Sequence, residues 1–303
     1  MFKIAISTTE PTPQYSFDDL YRMISEAGFD GVDVNAAHFY PGRDIRNAIP
    51  APMYTVSDKE FVKNFFPMRD AAKKYGIDNY QAHSPFPSYI ADNDEQNDFM
   101  IEVLRKTIIG CDAMNCRNLI VHPFFLGYSR QLSPEDEWNI NIDRYSRLIP
   151  TARQYGVTIC LENMFDVFRG RVYASCCSQI DTACRYVDTL NDIAGEKLFG
   201  FCLDTGHLIL VGLDAKNAME TLGDRIVAFH VHDNNGINDQ HIGPYLGVQD
   251  WDRLIEGLKS IRYDKTLSFE TGAWRRNLPQ ELMLPMLRFI AEAGRMMSRR
   301  ASE

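Results

Sequence analysis

Phe201-Cys-Leu-Asp-Thr-Gly-His207 predicts a buried strand that stops on two groups able to bind a cation. Phe201, Cys202 and Leu203 suit a strand interior. Asp204 follows with no polar lead-in, Gly206 permits a sharp turn, and His207 comes next. A carboxylate set straight after an apolar strand is costly unless it is paired, hydrogen-bonded or bound to a cation. Three other apolar runs end the same way: Val157-Thr-Ile-Cys-Leu-Glu162, Ile226-Val-Ala-Phe-His230-Val-His232-Asp233 and Thr266-Leu-Ser-Phe-Glu270. Four strand ends tipped with Asp, Glu or His read as one site assembled from four segments.

Outward from this stretch, strands and helices alternate along the chain. Strands are expected at Phe2–Thr8, Gly31–Ala36, Tyr80–His83, Asn118–His122, Val157–Glu162, Phe199–Asp204, Ile226–Asp233 and Thr266–Glu270. Helices are expected at Phe17–Ala27, Asp58–Tyr75, Asn93–Met114, Ser133–Tyr155, Gln179–Leu190, Ala215–Leu222, Trp251–Ser260 and Gln280–Arg295. Gly28, Gly76 and Gly156 close three of them, and Ser133-Pro-Glu-Asp-Glu opens another with a cap, a proline at the first position and acidic residues in the first turn. Loops are expected over His38–Thr55 and Phe165–Ser178, and the tail from Ser298 is read as frayed. Strict alternation implies parallel strands with helical crossovers. Eight such units in 303 residues predict an α/β protein, a (β/α)₈ TIM barrel, with residues 1–303 as one domain. A doubly wound open sheet would not gather groups from consecutive strand ends in one place.

Composition sets the remaining bounds. A hydrophobic fraction of 45% and a charged fraction of 24% describe a globular chain. A net charge of −9 disfavours broad electrostatic binding of nucleic acid, whose affinity rests on neutralised phosphates. The seven cysteines have no framework spacing and read as reduced thiols, Cys160 and Cys202 as strand core and Cys176-Cys177 as a polar-loop pair that could react, with nothing beside it to argue for reactivity. With no signal-peptide pattern and no apolar run long enough to span a membrane, the expectation is a cytoplasmic protein.

In a barrel of this kind the active site lies at the C-terminal strand ends. Those ends carry His83, His122, Glu162, Asp204, His207, His230, His232 and Glu270, and the loop after the seventh strand adds Asp239 and His241. Of the seven histidines only His38 falls outside this set. Each residue alone has an ordinary structural reading. A strand-end histidine can simply be hydrogen-bonded, Glu162 can cap or pair, and Asp204, Asp233 or Glu270 can close a turn. Gathered at one end of one barrel, they predict a metal site. Mixed carboxylate and imidazole ligands suit Mn²⁺ or Zn²⁺, with Fe²⁺ and Co²⁺ as alternatives, better than the all-oxygen preference of Ca²⁺ or Mg²⁺. Arg169, Arg171, Arg275 and Arg276 are either contacts for an anionic substrate or solvated loop residues. Phe124, Phe125, Trp251 and Trp274 are either apolar walls or ordinary packing.

These motifs resemble the xylose isomerase-like TIM barrels, a superfamily of sugar isomerases and epimerases that also includes endonuclease IV. The resemblance is carried by Ala82-His-Ser-Pro-Phe86, Val121-His-Pro123, Leu161-Glu-Asn163, Leu203-Asp-Thr-Gly-His207, His230-Val-His-Asp233, Asp239-Gln-His241 and Phe269-Glu270. It implies one divalent metal held by Glu162, Asp204, His230 and Glu270. The residues alone do not separate His230 from His232, and the resemblance favours His230. It also implies that His207 meets substrate. The endonuclease branch uses more ligands, and their types are present here as His83, His122, His207, Asp239 and His241, which leaves one metal or several open. Gly236 stands where tagatose-type enzymes carry an arginine, which argues against that sugar.

The expected enzyme is therefore a divalent-metal-dependent sugar, sugar-phosphate or polyol isomerase or epimerase. It would work by proton abstraction beside a chelated carbonyl, with Glu162 and Glu270 as the catalytic pair. Alternatives on the same site are a lyase, dehydratase or C-glycoside-cleaving subunit, an endonuclease IV-like phosphodiesterase, or a barrel that binds without turnover. The expected partner is a small sugar-type molecule rather than nucleic acid or a membrane, and a homo-oligomer is compatible with this reading.

Overall fold

The computed structural model describes residues 1–8, 15–127, 132–276 and 278–303. Its strands are β1 (Lys3–Ser7), β2 (Gly31–Asn35), β3 (Asp78–His83), β4 (Asn118–Ile120), β5 (Thr158–Glu162), β6 (Phe165–Phe168), β7 (Arg171–Ala174), β8 (Phe199–Asp204), β9 (Ile226–His230) and β10 (Thr266–Phe269). Eight of them form one parallel sheet in the order β10-β1-β2-β3-β4-β5-β8-β9. The parallel bridge Val231–Phe269 joins the two ends, with Val231 N donating to Ser268 O at 2.8 Å and Glu270 N to Val231 O at 3.0 Å. The expected α/β barrel is therefore present, with helices packed around the strands.

Side-chain alternation separates two apolar regions. Ile120, Cys160, Cys202 and Ala228 form a small buried cluster of their own. The large cluster, which includes Ile4, Val34, Leu161, Leu203 and Phe229, also takes in residues of the surrounding helices such as Ile24, Leu104, Leu190 and Leu287.

Capping residues bound the helices, at Gly28 and Ser133 as expected and at Ser16 as the structure adds. Ser16 caps the helix Phe17–Ala27 by accepting from Asp19 N, and Gly28 ends it at φ +97°. Ser133 accepts from Asp136 N at the head of Pro134–Ser146. Prolines set boundaries that periodicity alone did not. The single helix expected over Asp58–Tyr75 is a short helix Asp58–Phe61, a 3₁₀ turn Val62–Phe65 and a helix Phe66–Tyr75 with Pro67 in its first turn. Ser133–Tyr155 likewise divides into Pro134–Ser146 and Ile149–Tyr155, where Pro150 cannot donate a backbone hydrogen bond.

Four expectations are corrected. The Phe165–Ser178 loop holds the antiparallel hairpin β6–β7, turned by Arg169 at φ +52° and Gly170 at φ +73°. Cys176 and Cys177 are each 3% exposed, not open to reaction. A further helix, Thr205–Val211, follows β8 directly. The tail is not frayed: the last helix runs Gln280–Ser302, because Ser298 Oγ donates to Phe2 O at 3.0 Å and Arg300 pairs with Asp252 at 2.7 Å.

The same last helix ties down the start of the barrel. Asp30 Oδ2 accepts from Ile4 N at 2.8 Å and from Arg295 Nη1 at 2.7 Å. Burial alone would raise the Asp30 carboxyl, but Arg295 and the Ile4 N–H outweigh it and hold it below its ordinary value. The unfolded chain therefore takes up this proton first as pH falls, so the bond's stability is present above about pH 4 and is lost through the lower folded value. Asp30→Asn is expected to cost about 1–2 kcal/mol at pH 7 and progressively less below pH 4, read from urea midpoints at both ends. An equal loss at pH 7 and pH 3 would show that the charge is not what matters.

Candidate metal centre

The period of two along each strand determines what stands at the barrel mouth. Cys160, Cys202 and Ala228 belong to the small inner cluster, and Glu162, Asp204 and His230 lie two residues further along the same faces. Ser268 precedes Glu270, and Gln81 precedes His83, by the same step. β4 stops at Ile120, earlier than expected, so His122 stands just beyond its strand.

Glu162, Asp204, His230 and Glu270 bring ligand atoms within 4.8 Å of one another. His230 Nδ1 lies 2.6 Å from Glu162 Oε1 and 3.3 Å from Glu270 Oε2. Its other nitrogen, Nε2, faces Asp33 Oδ2 at 3.1 Å. Asp204 is held by backbone and side chain alike. Asn163 exchanges two 2.8 Å hydrogen bonds with the Asp204 main chain, and Asp204 Oδ1 accepts from His207 N at 2.7 Å, capping the helix Thr205–Val211.

Three further donor groups overlap or adjoin the first, one of which joins Glu162 and His230 to Cys202. His83 and His122 share Glu162 with the first: His122 Nε2 is 3.1 Å and His83 Nε2 3.7 Å from Glu162 Oε2. On the other side stand His207, His232, Asp239 and His241, again with ligand atoms within 4.8 Å. His232 thus joins this group, close to Asp204, while His230 sits between Glu162 and Glu270. Gly206 makes room for it, since a Cβ there would fall 1.9 Å from His232 Cε1.

Backbone carbonyls select the tautomers. A carbonyl can only accept, so the ring nitrogen facing it carries the proton. His83 Nδ1 donates to Ser84 O at 2.8 Å, His207 Nδ1 to Asn163 O at 2.7 Å and His241 Nδ1 to Glu270 O at 3.0 Å. Each ring then turns Nε2 inward. Outer hydrogen bonds of this kind orient histidine ligands.

The electrostatics ask for positive charge. Burial would raise the Glu162 carboxyl, but His230, His122 and His83 outweigh it and hold it well below the carboxylate range. Burial opposes charge on His207 and His241, yet Asp204 and Asp239 push the first up to about 10, and Glu270 and Asp239 push the second up to about 9. Burial lowers His122. Glu162 Oε2 and Asp239 Oδ1 are buried with no well-aligned hydrogen bond. Buried carboxylates with spare oxygens, facing imidazoles turned inward, fit a divalent cation, which would displace protons from the rings.

Several residues read from the sequence lie elsewhere. Asp233 is spent on structure, accepting from Asn234 N, Gly247 N, Gln249 N and Trp251 Nε1. Arg275 is buried and donates to Ser7 O. Arg169 lies over the Phe168 ring at 5.1 Å, and Arg171 is exposed. Phe124 is fully buried core. Phe125 and Arg276 do line the cavity above the donors, which has a volume of about 790 Å³ and is also walled by Phe86, Tyr89, Phe165 and Arg46. Two residues have roles that the sequence reading does not assign, although Asn163 stands in the Leu161-Glu-Asn163 motif. Asn163 carried a signal, standing beside Glu162 at a strand tip. Asp33 carried another, a lone carboxylate between valines in Gly31-Val-Asp-Val-Asn35.

Fold and site together define a β/α barrel with a carboxylate–imidazole donor cluster at its C-terminal mouth. A family profile for xylose isomerase-like TIM barrels matches residues 21–290, and the chain belongs to that family. The uncharacterized protein MJ1311 of Methanocaldococcus jannaschii is 26% identical over 212 residues, covering 69% of either chain. The apo structure of 3-keto-D-glucoside 4-epimerase, YcjR, from E. coli superposes with a TM-score of 0.72 at 17% identity, covering 96% of this chain and all of that one. An IolI protein with a bound zinc atom gives a TM-score of 0.68 at 16% identity over 99% and 98% of the two chains. Among the described residues no helix is long and apolar enough to cross a membrane.

Proposed function

We propose that the chain, acting as one barrel domain over residues 1–303, is a divalent-metal-dependent sugar isomerase or epimerase. The observation that carries this is the convergence of Glu162, Asp204, His230 and Glu270 within 4.8 Å beneath a cavity of about 790 Å³. These four residues would hold the cation, with zinc or manganese best suited to the donor set. A bound cation supplies Lewis acidity to a neighbouring carbonyl and hydroxyl. Glu162 at the end of β5 and Glu270 just after β10 both approach His230 Nδ1. One takes the proton from the carbon beside the carbonyl, and the other returns it on the opposite face. Phe86, Phe125 and Phe165 keep water from the reacting carbon, and His207 is within reach of a substrate hydroxyl. The epimerase relative and the zinc-bound relative support both parts of the reading. A lyase or dehydratase would use the same proton abstraction and then expel a leaving group.

One observation favours a second reading. The His83–His122–Glu162 and His207–His232–Asp239–His241 groups adjoin the first and offer room for further cations. A multi-metal centre of that kind suits phosphodiester hydrolysis. The net charge of −9 opposes DNA as its substrate.

The experiment counts zinc and manganese on the purified chain and follows deuterium from heavy water into a panel of ketoses and aldoses. Cation uptake with carbon-bound deuterium in the product is the expected result. Several tightly bound cations per chain, no deuterium in any sugar and hydrolysis of bis-p-nitrophenyl phosphate would favour the second reading instead.

A further inference from the structure

We propose that Asp33 is a positioning residue that determines which nitrogen of His230 faces the cation site. The inference rests on the metal-site reading above. Asp33 lies mid-strand in β2, is fully buried and reaches across the barrel interior to β9, which is not its neighbour in the sheet. Its Oδ2 lies 3.1 Å from His230 Nε2. The same oxygen accepts from Gln81 Nε2 at 2.9 Å and from Ser268 Oγ at 3.2 Å. Gln81 is itself anchored by a second hydrogen bond to Phe229 O at 3.0 Å. The oxygen is thus pinned from β3 and β10 before it meets the ring from β9.

A carboxylate oxygen so held can only accept, so His230 Nε2 carries a proton toward it. Nδ1 is the nitrogen turned toward Glu162 and Glu270, at 2.6 and 3.3 Å, where a cation would take the place of the proton shared with Glu162. His83, His207 and His241 are arranged the other way round, with Nδ1 donating to a backbone carbonyl and Nε2 turned inward. No carbonyl serves His230 among its hydrogen bonds in the described residues; a buried side chain does that work instead. The other three tautomers depend on the backbone and resist mutation, whereas this one depends on a replaceable residue. Loss of such a partner behind a ligand weakens metal affinity by about 10–100-fold.

The test uses the full chain stripped of metal. Zinc affinity by chelator competition is expected to fall about 10–100-fold in Asp33→Asn, while Ser268→Ala, which keeps the Asp33–His230 bond, stays within about threefold of wild type. Nitrogen-15 NMR of the zinc-loaded wild type is expected to place the His230 proton on Nε2 and the metal on Nδ1, a readout that stands even if Asp33→Asn does not fold. Wild-type zinc affinity in Asp33→Asn, or a His230 that binds zinc through Nε2, would overturn the positioning role. A wild type that takes up no zinc or manganese would instead overturn the metal-site reading itself.

Discussion

Asp204→Ala is expected to bind zinc or manganese more than about 100-fold more weakly than wild type while keeping its fold, because a direct ligand should matter at least as much as the partner behind one. Asp204 is fully buried and is, with Glu270, one of the groups through which the four-residue centre touches its neighbour: His232 Nε2 lies 3.2 Å from Oδ1, and His207 Nε2 lies 3.8 Å from Oδ2. Removing the carboxylate therefore takes one proposed ligand from the first group and the carboxylate nearest His232 from beside the second. The backbone at Asp204 has independent support, from both Asn163 hydrogen bonds and from its pairing with His230 across β8 and β9. The side chain's cap on Thr205–Val211 is lost, at about 1 kcal/mol. The measurement is metal content by mass spectrometry after dialysis against a weak chelator, with circular dichroism as the check on fold. Undiminished metal in a folded Asp204→Ala protein would remove this residue from the proposed ligand set.

Glu270→Gln, loaded with excess cation, is expected to lose about 10²–10⁴ of the rate at which one face of the substrate carbon exchanges its proton with solvent. Glu270 is the better position for this test. Glu162 belongs to three donor groups at once, so changing it disturbs His83, His122 and the Cys202–His230 pair as well. Glu270 contributes to the four-residue centre through one carboxylate oxygen near His230, and its backbone carbonyl receives His241 whatever the side chain. A bound cation would lower the basicity of both glutamates, so their proposed use as bases would depend on the same cation acidifying the substrate. Exchange is followed by proton NMR in heavy water with metal occupancy measured on the same sample. Full metal occupancy together with unchanged exchange from both faces would leave Glu270 as a ligand without a part in proton transfer.

The alternation of strand and helix was legible because each signal is local. A capping serine, a closing glycine or an apolar run of strand length acts within a few residues, and this chain carries those signals in order from Lys3 to Thr266. The strand tips were legible for the same reason: Glu162, Asp204, His230 and Glu270 follow apolar residues with nothing polar to soften the change, and period two then puts them on one face. The sequence by itself thus determined the barrel and the kinds of donor at its mouth. Where the local signal was weak, the reading failed. The Arg169–Gly170 turn lay between half-buried residues that gave the hairpin no clean apolar face, and the tail's helix is held by Phe2 and Asp252, far away in the chain.

Only the tertiary structure decided how the donors divide. His230 and His232 share a strand direction and looked equivalent, yet one stands between Glu162 and Glu270 and the other between Asp204 and Asp239. Their division depends on side chains contributed by β5, β8 and the loops after β9 and β10. The tautomers depend on carbonyls of Ser84, Asn163 and Glu270 and on Asp33, which lies 197 residues from the ring it holds. A hydrogen bond's direction is a property of two groups brought together by the fold, and no local periodicity along the chain carries it.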